Sequence, residues 1–192
     1  MGRRKIIKYL VNEKKANINL VDKEKKCTPL HYAILNKHYE TAKYLIKNGA
    51  DTEIMFNTCP SNRKYMGTPL WAVILSDAPD RLEIIELLLR HGAHTECVYS
   101  PPPKDRRYWE TPLCYAVRHN DMPLVELLVK YGANVEGASA YGNSPLRLAT
   151  LNGHVELVRY LLENEYRPAS ITSVNKRGHT IIDAALNRTR NK

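Results

Sequence analysis

The chain has 192 residues, of which 43% are hydrophobic, enough for one or two folded domains. It contains no run of about 18 apolar residues that would span a bilayer, and the basic start at Arg3, Arg4 and Lys5 leads into a stretch broken by Lys8, Asn12 and Glu13, which excludes a secretory signal. The formal charge of +9 resembles a nucleic-acid signature only until it is divided: residues 1–26 carry +6, residues 167–192 carry +5, and the long middle is slightly acidic.

Taken in chain order, the first element is an apolar-periodic helix through Ile6, Ile7, Tyr9, Leu10 and Val11. Next comes Thr28-Pro29-Leu30-His31-Tyr32-Ala33, in which Thr caps a helix and Pro takes its first position, where a missing N–H costs nothing. A second helix ends at Tyr44-Leu45-Ile46-Lys47-Asn48-Gly49-Ala50, the glycine supplying a left-handed stop. The two motifs then alternate. The first recurs at Thr68-Pro69-Leu70-Trp71, Thr111-Pro112-Leu113-Cys114, Ser144-Pro145-Leu146-Arg147 and, more weakly, Thr180-Ile181-Ile182-Asp183. The second recurs at Leu87 to Ala93 and Leu127 to Ala133, and Val155 to Leu162 repeats its helical spacing. Each helix pair has faces it cannot bury alone, so neighbouring pairs must stack.

These motifs resemble the T-P-L-H-x-A and L-L-x-x-G-A signatures of the ankyrin-repeat family, and the resemblance covers nearly the whole chain. It implies an all-α repeat solenoid in which each unit is a helix-turn-helix followed by a β-hairpin finger, with first helices and fingers lining a concave face. The expected organisation is a single domain over 1–192: a partial repeat at 1–23, repeats at 24–66 and 67–109 with long fingers, repeats at 110–142 and 143–178, and a partial cap at 179–192. That makes about four complete-length units with half-repeats at the ends, a pattern that also suits a piece of a longer protein. Val73 stands where the family has a small alanine, and Asp77-Ala78-Pro79-Asp80 lengthens the following turn, so looser packing is expected there.

The motif starts are 40, 43, 33 and 36 residues apart, so the two insertions fall at Thr52 to Gly67 and His94 to Glu110. Insertions in solenoids map to one face, often the binding face. Phe56, Arg63, Lys64 and Tyr65 in the first, and Tyr99, Arg107, Tyr108 and Trp109 in the second, have the aromatic and arginine chemistry of interface hot spots. Tyr65, Tyr108 and Tyr141 recur three residues before successive motif starts and suggest a ladder. The resemblance further places Leu35 and Asn36, Leu75 and Ser76, Arg118 and His119, and Leu151 and Asn152 toward the groove. Partner-binding candidates are therefore Tyr65, Arg107, Tyr108, Trp109, Arg63, Lys64, Phe56, Tyr99, Tyr141, Arg118, His119, Leu75 and Asn36.

Catalytic and metal readings find no support: the seven histidines form no H-E-x-x-H, the four cysteines form no C-x-x-C, and no phosphate loop or nucleophile elbow is present. No cofactor is expected. The expected function is a non-catalytic interaction module for an acidic or aromatic segment of a protein partner, in the cytoplasm or nucleus, acting as a monomer or within a larger chain or complex. The alternatives are a substrate receptor or signalling inhibitor within a complex, and electrostatic binding of nucleic acid or an acidic surface through the basic ends, the less favoured because the charge is confined there.

Overall fold

The computed structural model describes residues 2–24, 26–55, 67–97, 110–139 and 142–187. Two compact units emerge, Met1–His94 and Thr95–Lys192. The first contains α1 (Gly2–Asn12), α2 (Pro29–Leu35), α3 (Tyr39–Lys47), α4 (Pro69–Ile74) and α5 (Arg81–Arg90). The second contains α6 (Pro112–Arg118), α7 (Met122–Lys130), α8 (Pro145–Asn152), α9 (Val155–Glu163) and α10 (Ile181–Asn187).

Each motif start builds the helix expected of it. Thr28 and His31 form a reciprocal capping box at α2, and Thr111 and Ser144 accept from the backbone N–H of Cys114 and Arg147 at α6 and α8. Thr180 and Asp183 make the same reciprocal pair at α10, so the weakest copy of the motif is capped as well as the strongest. Gly49 ends α3 with φ of 84°, a left-handed conformation that costs a glycine nothing. The second helix α9 has no such glycine. Its end is held by buried Asn164, whose Nδ2 donates to the Leu161 and Arg167 carbonyls while its Oδ1 accepts from Arg167 N–H. The extra residues of that turn account for the 36-residue spacing.

In the first unit α2 packs on α3, α4 on α5, α2 on α4 and α3 on α5. Leu30, Leu45, Ile46, Leu70, Trp71, Ile74, Ile84, Ile85 and Leu88 are fully buried, each contributing about 1.5–3 kcal/mol relative to exposure. Val73 is also completely buried. The looser packing expected at this position is not found: the larger side chain fills its place, and Ala78 in the lengthened turn is buried too. Helix α1 lies along α3, through a hydrogen bond from Tyr44 Oη to Asn12 Oδ1 (2.8 Å) and an ion pair of Arg4 with Glu40. In the second unit α6 packs on α7 and α8, and α8 on α9 and α10, around Leu113, Leu124, Leu128 and Leu157.

The fingers differ from the expected hairpins. Among the described residues they carry no strand ladder, and their tips are turns closed by single backbone bonds such as Asp22 N–H to Cys27 O, Ser139 N–H to Asn143 O and Asn175 N–H to His179 O. Register between repeats is set instead by side chains. The residue three after each turn alanine accepts a backbone N–H from the next turn: Asn19 from Asp51 (2.8 Å), Glu53 from His94 (3.1 Å), Glu96 from Asn134 (2.9 Å) and Glu136 from Ser170 (2.6 Å). A charged acceptor makes such a bond stronger than its neutral counterpart.

Candidate functional site

The first helices are positioned by the fourth residue of each motif, which is His31, Trp71, Cys114 or Arg147, all buried. These side chains reach the following turn. Cys114 Sγ donates to Gly137 O (3.3 Å), and the Arg147 guanidinium donates to the His179 carbonyl (3.1 Å) and to that of Thr180, with Nε on Asn143 Oδ1 (3.0 Å). His31 Nδ1 accepts the Thr28 backbone N–H (3.1 Å), which requires the neutral ring, and burial lowers its pKa from 6.5 to about 4. The histidine reading of this position was structural, and the geometry agrees. His154 is likewise absorbed by the fold, its Nδ1 lying 2.9 Å from Val117 O.

The four groove candidates within the described residues stand at matching places, the C-terminal ends of first helices. Asn36 caps α2, exposed, with Nδ2 donating to Tyr32 O (2.8 Å). Leu75 caps α4 and is exposed. Arg118 ends α6, and His119 caps it. These two adjacent residues behave differently. The Arg118 guanidinium turns back to the buried carboxylate of Glu110, whose pKa burial raises to about 7 against the pull of the arginine's charge. His119 stays exposed, with Nδ1 on Tyr115 O (2.9 Å) and its ring stacked on that of Tyr115 at 4.0 Å between centroids and 29° between planes. What this helix end offers a partner is thus a braced aromatic pair beside an occupied arginine.

Phe56, Arg63, Lys64, Tyr65, Tyr99, Arg107, Tyr108, Trp109 and Tyr141 lie outside the described residues. Sequence reasoning missed Glu110, which occupies Arg118, and buried Arg147. The signal for Arg147 was its place in the fourth position of the motif, where His31 stands.

The ankyrin-repeat family, described as ankyrin repeats in three copies, matches residues 1–56 and 71–175. The chain belongs to this family. Ankyrin repeats are typically protein–protein interaction modules and generally non-catalytic. The chain is 27% identical over 163 residues to a palmitoyltransferase, AKR1, of Lachancea kluyveri, covering 85% of this chain and 20% of that protein. It is 31% identical over 85 residues to the transient receptor potential cation channel subfamily V member 1 of Oryctolagus cuniculus, and 32% identical over 84 residues to subfamily V member 2 of Homo sapiens, in each case covering 37% of this chain. It spans only 10% and 11% of those channels. Among the described residues no group of three or more His, Cys, Asp or Glu side chains could hold a metal ion, and no helix is long and apolar enough to cross a membrane.

Proposed function

We propose that this ankyrin-repeat chain holds a segment of a partner protein against its first-helix ends and its two lengthened fingers, without doing chemistry on it. The observation that carries the reading is the stacked Tyr115–His119 pair at the end of α6. An exposed aromatic surface already fixed in one geometry binds at low entropic cost. The sequence content of the fingers supports the same reading: Phe56, Tyr65, Tyr99, Tyr108 and Trp109 interleave with Arg63, Lys64 and Arg107, and Tyr141 continues the series. Asn36 and Leu75 add a polar and an apolar contact at equivalent helix ends, and the chemistry suits an acidic or aromatic segment. The relatives' named activities are not carried over, because the chain covers 10% to 20% of their length.

The test compares cross-linked pull-downs by the wild-type chain, a Tyr65/Arg107/Tyr108/Trp109 alanine variant and His119→Ala. Partners lost from both variants and retained by a control with Lys47→Ala, on the exposed surface of α3, locate the site. Identical recovery by all four proteins sinks it.

A further inference from the structure

The second unit carries an uncovered apolar face whose shape can be read from the first. Helices α3 and α9 are register copies: Glu40-Thr41-Ala42-Lys43-Tyr44-Leu45-Ile46 corresponds to Glu156-Leu157-Val158-Arg159-Tyr160-Leu161-Leu162. Ala42 and Ile46 are completely buried in the unit where α5 packs on α3, whereas Val158 and Leu162 are only partly covered. The first helices show the same contrast. Leu30, Leu70, Leu113 and Leu146 are at most 1% exposed, but Ile182, the corresponding residue of α10, is 66% exposed. Helix α10 is seated on α8 by Ile181 and Ala184, so Ile182 faces away from the helix that holds it. Exposed Ile171 and Val174 in the adjoining turn extend the surface. A contiguous apolar patch of this kind marks an interaction site.

The charges specify what would cover it. In the first unit the nearly buried Lys43 Nζ binds the first turn of the covering helix, Glu83 at 2.6 Å and Asp80 at 3.0 Å, besides Glu40 on its own helix at 3.4 Å. At the corresponding position of α9, Arg159 pairs with Glu156, the counterpart of Glu40, at 3.6 Å, and both are largely exposed. The basic head and its intrahelical carboxylate are in place, and the acidic first turn of a covering helix is what the register adds. The basic bias of residues 167–192 acts in the same direction and disfavours a second copy of the same end.

We propose that the face built by α9, α10 and the turn around Ile171 docks an amphipathic helix of a protein partner, one that has an apolar seam and carboxylates in its first turn. The surface is separate from the first-helix ends, so the proposal stands or falls independently of the partner site proposed above.

The test uses the full chain and a fluorescent synthetic peptide with the sequence of residues 78–94, which contains Asp80, Glu83 and the apolar seam of α5. Saturable binding by anisotropy is expected, weakened at least tenfold by Ile182→Asp and several-fold by Arg159→Glu. A peptide with D80K and E83K should bind wild type poorly and recover on Arg159→Glu. Both substituted side chains are exposed, and circular dichroism confirms that the variants keep their helices. Absence of saturable binding, or binding indifferent to Ile182→Asp, overturns the proposal. Failure of the charge swap overturns the acidic first turn. Concentration-dependent self-association of the chain that Ile182→Asp abolishes would assign the face to a second copy instead, and likewise overturns it.

Discussion

Acid should destabilise the first unit through one histidine. His31 is completely buried, its Nδ1 accepts the Thr28 N–H, and its pKa falls from 6.5 to about 4 because burial outweighs the hydrogen bond with Ile54 and the charge of Asp51. The unfolded chain therefore binds a proton more readily than the folded one. The stability that the neutral ring contributes is complete above pH 6.5 and is lost as the pH falls toward 4. At 1.36 kcal/mol per pH unit the loss is about 3 kcal/mol. Glu110 acts with opposite sign: its pKa is raised from 4.5 to about 7, so its contribution is present below pH 4.5 and is lost as the pH rises through 7. A whole-chain measurement would sum two opposed slopes. The assay therefore uses a Trp109→Phe, Glu110→Gln background, in which buried Trp71 is the sole tryptophan reporter, and follows urea unfolding between pH 7 and 4. His31→Gln keeps a side chain able to complete a capping box but removes the titration. It should flatten the slope while costing roughly 1 kcal/mol at pH 7, where the ring's packing is lost. An unchanged acid slope in His31→Gln would refute the assignment.

Two further substitutions test the turns. Glu96→Ala removes the acceptor of the Asn134 N–H and should cost about 1 kcal/mol, the low end for a charged hydrogen bond because the site is exposed; Glu96→Gln should retain most of it. Hydrogen exchange at the Asn134 amide reads this directly, and protection unchanged by Glu96→Ala would remove the ladder from the account. Lys37 holds φ of 59° in the turn between α2 and α3, where Gly153 serves the corresponding turn between α8 and α9. Lys37→Gly should therefore stabilise by roughly 0.5–1 kcal/mol, since the exposed ion pair with Asp77 that it sacrifices contributes little. A lowered urea midpoint would contradict that.

The helices were legible because their signals are local. Thr-Pro or Ser-Pro starts and glycine ends lie within the segments they delimit, and even the weak copy at Thr180 declared its cap through Asp183. What escaped was non-local. Nothing in the spacing of Glu53, Glu96 and Glu136 identifies a backbone N–H 34 to 41 residues downstream as their partner. Arg118 read as an exposed contact because the helix period placed it on the outer end of α6, while the burial of Glu110 that turns it inward depends on packing. The same reason explains Val73: a departure from the family's alanine carries no information about whether the neighbours leave room for it. The strand ladders implied by the resemblance were not required, since carboxylate-to-backbone bonds between turns perform the alignment.

Stability in a repeat array is a property of neighbours, and this gives the end of the second unit a particular coupling. Helix α10 is held from one side only, by Ile181 and Ala184 against α8 and by the Arg147 guanidinium on the His179 and Thr180 carbonyls at its start. The other side presents Ile182 to solvent. A helix seated there would bury that side chain and raise the free energy of undocking α10, because a ligand that binds only the folded form stabilises it by mass action. Loosening α10 from the Arg147 side should weaken helix binding at Ile182 by the same thermodynamic link, although Arg147 touches no part of that face. The buried staple and the exposed seam are thus two handles on one short helix, and the fourth motif position, which tolerates His31, Trp71, Cys114 and Arg147 alike, sets how firmly each repeat presents its neighbour.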